Sequence, residues 1–233
     1  MRVRSATNFA AFAGAVVLST LCGADTKAPT IMDRMHTARE LMQTGKATEA
    51  LEKFINPTIA EFQLQFGNSK QRVYCSNGAV ETLMYLTQAA GDNVNAIAVD
   101  AGYAYAYYMR GYIMVEQHDV PQAIESLFKA VELSPKNPQF LCELANIYQD
   151  RREWAKAMEL YERAAGSAPI LETDGDTFFQ RRAMRGKAFI LVELQKLDEA
   201  EKLYRRCLEL DPKDSSATNE LQYIAGLRAK NPK

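Results

Sequence analysis

Large and small apolar residues recur along the second half of this chain at three- and four-residue spacing, the period of a helix with one buried face. Ala123, Leu127 and Ala130 are followed by Pro135; Ala157, Tyr161 and Ala164 by Pro169; Ala200, Tyr204 and Cys207 by Pro212. The second set lies 34 residues beyond the first, small on small and large on large. The third lies 43 beyond the second, a 34-residue step with a nine-residue insertion. A matching half-unit stands upstream of each: Tyr107, Gly111 and Met114, then Leu141, Ala145 and Tyr148, then Met184, Ala188 and Leu191. Each unit therefore predicts two helices, and proline, which lacks an amide hydrogen, punctuates the second. Asn137-Pro138 supplies an N-cap and a first helical residue for the next unit.

Outside these copies the pattern weakens. Residues 31–55 predict a helical pair, with Ala38 and Leu41 before a Thr44-Gly45 turn and Ala50 and Phe54 after it. Pro57 is expected to kink or end the second of these helices, with Glu61 to Phe66 continuing in a new direction. Gln71 to Cys75, between two turn-rich stretches, reads as an irregular connector. Ala79 to Ala90 reads as a helix closed by Gly91-Asp92-Asn93, and Ala96 to Gln117 as one long helix. Tyr103, Tyr105 and Tyr107 alternate with alanines as a strand would. The 34-residue register nevertheless places them in the first helix of a repeat. Ser215 to Arg228 is expected to be a solvating cap, since a stack otherwise ends on an apolar face.

Three in-register copies resemble the tetratricopeptide repeat family across residues 104–214. The resemblance implies an all-α fold, with antiparallel helix-turn-helix repeats stacked into a right-handed α-solenoid that has a concave groove. It divides the chain into units at 104–137, 138–171 and 181–214. A degenerate N-terminal helical repeat region (25–103) precedes them, and a C-terminal capping helix and tail (215–233) follows.

The groove of this family is lined by the first helix of each repeat, on the face away from its small packing positions. Carried over residue by residue, that face is Tyr105, Tyr108 and Tyr112, then Gln139, Cys142 and Asn146, then Arg182, Arg185 and Phe189. Tyrosine offers contact area with a polar tip, asparagine can bond an extended backbone, and arginine can grip a carboxylate in a two-point fork. The alternative is that the tyrosines pack against the N-terminal helices. Some members clamp a peptide's C-terminal carboxylate with Lys and Asn in the first repeat. Tyr108 and Tyr112 stand there in this chain, so that clamp is not supported.

Composition narrows the chemistry further. Hydrophobic residues at 47% and charged residues at 24% are ordinary for a globular protein. With 28 Lys and Arg against 29 Asp and Glu, the net charge of -1 offers no basic excess for a phosphate backbone, and nucleic acid is not an expected partner. His36 and His118 stand far apart without ligand spacing, so no metal site is expected. No Gly-rich phosphate loop appears, no cofactor is implied, and no small-molecule substrate is expected. Glu116 and Glu193, like the Arg151-Arg152 and Arg181-Arg182 pairs, read as solvated helix faces.

The N-terminus reads as a targeting segment. Arg2 and Arg4 precede an uncharged run from Phe9 to Leu21, shorter than the roughly 20 residues that cross a bilayer. Small residues at Cys22-Gly23-Ala24 suit a signal peptidase. The expectation is a signal peptide at 1–24, cleavage after Ala24, and a periplasmic or secreted protein beginning at Asp25. The alternatives are an uncleaved membrane anchor or a lipid on Cys22. Beyond the cleavage point remain Cys75, Cys142 and Cys207. Cys207 replaces alanine at a packed position. A Cys75–Cys142 disulfide is open to an exported chain, and would staple the N-terminal region to the repeats.

The function these residues imply is an exported scaffold, without catalysis, that binds a protein or peptide segment in its groove. The alternatives are a thiol-dependent redox or enzymatic factor using Cys75 or Cys142, and a structural subunit of an envelope complex.

Overall fold

The computed structural model describes residues 29–171 and 177–230; the expected signal peptide at 1–24, the cleavage expected after Ala24, and Cys22 lie outside them. The chain begins with α1 (Ile31–Gln43), started by a capping box in which the Thr30 hydroxyl accepts from the Asp33 amide and the Asp33 carboxylate accepts from the Thr30 amide. Gly45, at φ 76°, turns the chain into α2 (Ala47–Ala50). A π-helical segment (Leu51–Ile55) and α3 (Asn56–Phe66) follow without a break. Pro57 therefore does not end this helix. It sits in the first turn of α3, and the wide π turn just before it takes up the ladder position that its missing amide cannot fill.

The next stretch departs from the helical expectation. Arg72–Ser76 is a strand, β1, rather than an irregular connector. After α4 (Ala79–Gly91) comes β2 (Ala96–Asp100), where a long helix from Ala96 was expected. The two strands pair in parallel, Arg72 opposite Ala96 through Ser76 opposite Asp100. The run Ala96-Ile97-Ala98-Val99 is apolar with two β-branched residues, and it takes the pleated form because β1 offers it a ladder. The sheet is covered on both faces, as parallel pairs usually are. Tyr74 stacks on Tyr85 of α4 at 4.9 Å and 13°, while Val73, Cys75 and Val99 join the main core. The Ser134 hydroxyl donates to the Cys75 carbonyl at 2.6 Å, tying β1 to the repeats.

From Gly102 onward the chain is a succession of helical hairpins that form the right-handed α-solenoid. The pairs are α5 (Gly102–Glu116) with α6 (Val120–Leu133), α7 (Pro138–Asp150) with α8 (Trp154–Leu171), and α9 (Phe178–Glu193) with α10 (Leu197–Leu210). The helix α11 (Ser215–Lys230) closes the stack against α10. The tyrosine-alanine alternation lies inside α5, and the strand ends just upstream of it at Asp100. α6 and α10 stop at Leu133 and Leu210, shortly before Pro135 and Pro212, whereas α8 runs to Leu171, past Pro169. Each hairpin turns through a non-glycine residue in the left-handed region, His118, Arg152 and Gln195 at φ 60°, 58° and 60°. These three are displaced by the same 34 and 43 residues as the repeats.

Small residues on the first helices make room for large ones on the second. A Cβ on Gly111 would lie 2.6 Å from Leu127 Cγ, and one on Gly186 only 2.3 Å from Tyr161 Cζ. Tyr161 thus spans neighbouring hairpins. Its ring rests on Gly186 of α9, and its hydroxyl donates to Gln149 at 2.9 Å and to Asn146, both on α7. The buried ring is held at its far end by those bonds and cannot retreat. We therefore expect Gly186→Ala to destabilise the protein by about 2 kcal/mol, lowering Tm by roughly 4–8 °C in a thermal melt. A melt within a degree of wild type would show that the interlock is looser than this.

Candidate functional site

The first helices of the hairpins, α5, α7 and α9, carry the residues expected to line the groove, and α1 lies alongside α5 at its N-terminal end. Tyr105 and Tyr108 are half-buried rather than open. Both close around Phe140 of α7, Tyr105 edge-on at 5.0 Å and Tyr108 stacked at 5.0 Å and 24°. The Tyr108 hydroxyl accepts from the Gln139 amide at 2.9 Å, so two predicted groove residues are already bonded to each other. Burial pushes the Tyr108 phenol up to about 12, which keeps it neutral at any physiological pH. Asn146 is engaged by Tyr161, as above. Tyr112 and Phe189 remain as open aromatic faces, 40% and 36% exposed.

The predicted arginines are paired within the protein. Arg182 Nη1 lies 2.9 Å from Glu143 Oε1, joining α9 to α7. Burial disfavours the charge on Arg182, but the hydrogen bond and attraction of Glu143 outweigh it and raise the pKa. Arg185 and Arg181 both donate to Asp214, which also N-caps α11 by accepting from the Ala217 amide at 3.1 Å. Arg181 reaches Asp211 as well, at 3.0 Å. Glu143 and Asp214 were not among the expected site residues. Glu143 follows Gln139 by one helical turn and so falls on the same face, but nothing local announces its partner 39 residues away.

The cysteines do not act together. Cys75 and Cys142 are buried and form no disulfide with each other. Cys75 sits on β1 near Glu81 and Asp100, whereas Cys142 faces the next interface, close enough to Tyr161 and Arg182 to influence both. Burial pushes the Cys75 thiol up to about 12 and the Cys207 thiol to about 11. Thiols so far above neutrality carry almost no thiolate.

At its N-terminal end the groove deepens into a cleft of about 230 Å³ between α1, α5 and α7. Met32, Met35, Met109, Tyr105 and Tyr108 form its apolar walls, and His36, Arg39, Asn77 and Gln139 its polar ones. Arg39 donates to His36 Nδ1 at 3.1 Å. The wall helix α1 is held on the stack from its other side, where Glu61 of α3 pairs with Arg34 at 2.7 Å and accepts from the Tyr103 hydroxyl at 2.9 Å.

Comparison with known proteins agrees with this geometry. Tetratricopeptide repeat models match residues 108–170 and 182–214. RNA polymerase II-associated protein 3 of Homo sapiens is 31% identical over 140 residues, 60% of this chain and 20% of that protein. The chain thus spans about a fifth of the length of the curated relatives it matches. Among solved structures, pilF of Pseudomonas aeruginosa superposes over 86% of this chain and 69% of its own, with a TM-score of 0.58 at 11% identity, a likeness of fold. The first repeat domain of Spaghetti, solved with the HSP90 peptide SRMEEVD, covers 56% of this chain and 97% of its own, with a TM-score of 0.49 at 28% identity.

Asp214 joins the last hairpin to its cap, and its chemistry yields a test. Burial opposes ionisation, but the Ala217 amide and the guanidinium groups of Arg181 and Arg185 outweigh it and hold the carboxyl below its usual range. A depressed carboxyl contributes stability above its unfolded pKa of about 3.9, and that contribution is lost as pH falls through the lower folded value. Asp214→Asn should therefore cost roughly 3 kcal/mol at pH 7, and the gap to wild type should narrow below about pH 4 in urea denaturation. A gap that stays constant from pH 7 to pH 3 would contradict this assignment.

Proposed function

We propose that this chain is a non-catalytic binding module that takes an extended polypeptide segment along its concave face. One observation carries the reading. The face combines two open aromatic surfaces, Tyr112 and Phe189, with a polar lining whose charges are already neutralised internally, Arg182 by Glu143 and Arg185 by Asp214. A surface of this kind offers rigid contact area at low entropic cost and demands no fixed charge pattern from its ligand. The repeat family matched by residues 108–170 and 182–214 supports it. A thiol-dependent enzyme is disfavoured, because Cys75 is fully buried with a raised pKa.

The test replaces the two open aromatics and leaves the structural ones alone. A photo-crosslinking residue at position 112 should capture a native partner, and the Tyr112→Ala, Phe189→Ala double variant should lose that partner in affinity capture by at least tenfold. Its circular dichroism melt should stay close to wild type, since both side chains are exposed. Undiminished capture by the double variant would move the binding surface away from this groove.

We further propose that the module works outside the cytoplasm, as a scaffold or a subunit of an envelope complex. The arginines at positions 2 and 4, the short apolar run and Ala24 support export. Intact mass of the protein from its native source is expected to place the first residue at Asp25. A chain that retains Met1 would remove cleaved export from consideration.

A further inference from the structure

We infer that the cleft between α1, α5 and α7 is an anchor pocket that reads an apolar side chain followed by an acidic one in an extended partner. The inference rests on the groove reading and gives it a ligand chemistry. At about 230 Å³ the cleft is smaller than a drug-sized site and has room for a single large side chain. Its floor includes Met35 and Met109, 1% and 6% exposed, with Met32 beside them. Thioethers adapt to irregular apolar shapes, so the floor accepts an aliphatic or aromatic side chain without demanding one outline.

Charge decides what must stand next to that side chain. Arg181, Arg182 and Arg185 are each paired with a carboxylate of this chain. Arg39 is different. It is exposed at the mouth of the cleft, and no carboxylate lies within ion-pair distance of it among the described residues. Its hydrogen bond to His36 Nδ1 turns the guanidinium along α1 and leaves other donors of the fork available. An unpaired guanidinium beside an apolar pocket favours a carboxylate on the incoming segment, in a charge-assisted hydrogen bond.

The carboxylate is a side chain rather than a chain terminus. Among the described residues that line the pocket Arg39 is the one permanent cation. The other polar groups are the His36 imidazole, already bonded to Arg39, and Asn77 and Gln139, amides that both donate and accept. Amides of this kind suit the backbone of a peptide that continues along the groove toward Tyr112. A partner read in this way would engage α1, a helix of the degenerate N-terminal region, as well as the regular repeats.

The experiment uses amidated Gly-Ser peptides carrying a single Leu-Glu step, titrated into the isotope-labelled chain. The backbone amides of Arg39, Asn77 and Gln139 are expected to shift, and a Leu-Gln peptide to bind roughly tenfold more weakly. Arg39→Gln should erase that preference while leaving the melt unchanged, because Arg39 is exposed and makes no ion pair among the described residues. Equal binding of the two peptides, or a preference that survives Arg39→Gln, would overturn the charge assignment. So would tighter binding by a Gly-Ser-Leu peptide with a free C-terminus and no glutamate. The pocket and the groove fail separately. Loss of the partner on Tyr112→Ala, Phe189→Ala without a glutamate preference overturns the pocket alone, whereas undiminished capture by that variant overturns the groove.

Discussion

The stack depends on one contact, the seating of a large second-helix side chain against a first-helix position that has no side chain. Tyr161 lies on Gly186 across the interface between hairpins, and its hydroxyl is bonded back to Asn146 and Gln149. Gly111 stands in the same relation to Leu127 within the first hairpin. Because the glycine lets two helices approach closely, each hairpin buries an apolar face that it could not bury alone. The geometry of the concave surface follows from this, since the spacing of α5, α7 and α9 is set by what is wedged between them.

Ion pairing then finishes what packing begins. Glu143 with Arg182 and Asp214 with Arg181 and Arg185 each join neighbouring elements, and each removes a cation from the inventory that a ligand could use. A groove arginine is thus not equivalent to a binding arginine. Removing either partner of such a half-buried pair leaves a charge with neither water nor counter-ion, which is why these residues read as structural once their neighbours are known. At the cleft the cation that keeps no ion pair among the described residues is Arg39 of α1, whose hydrogen bond goes to His36.

Much of the fold was legible from local pattern. The hairpins at 102–133, 138–171 and 178–210, the cap after Asp214 and the turn at Gly45 follow from periodicity and capping chemistry. The parallel pair did not, although Ile97 and Val99 are β-branched, because a run of four apolar residues before a helix fits either conformation. Only the presence of Arg72–Ser76 alongside, a partner 24 residues upstream in register, settles the choice. Pro57 was misleading for a related reason: a π turn absorbed it without ending the helix. His118, Arg152 and Gln195 occupy left-handed turns where glycine would cost less, so no turn residue advertised them.

The candidate site divides along the same line. The amino-acid order by itself determined that helical hairpins repeat, which of their faces are buried, and that Tyr105, Tyr108, Tyr112, Gln139, Asn146, Arg182, Arg185 and Phe189 share one side of the first helices. All of that is set by residues within a turn or two of each other. Tertiary structure alone decided which of these remain open to a ligand. Tyr108 closes on Phe140, Asn146 is taken by Tyr161, Arg182 by Glu143, and Arg39 enters from a helix more than sixty residues before Tyr105 (its neighbour in the cleft) had any reason to meet it in the chain order. Pairings of that kind carry no local period, because they arise from where the helices lie in space and not from the order in which they are written.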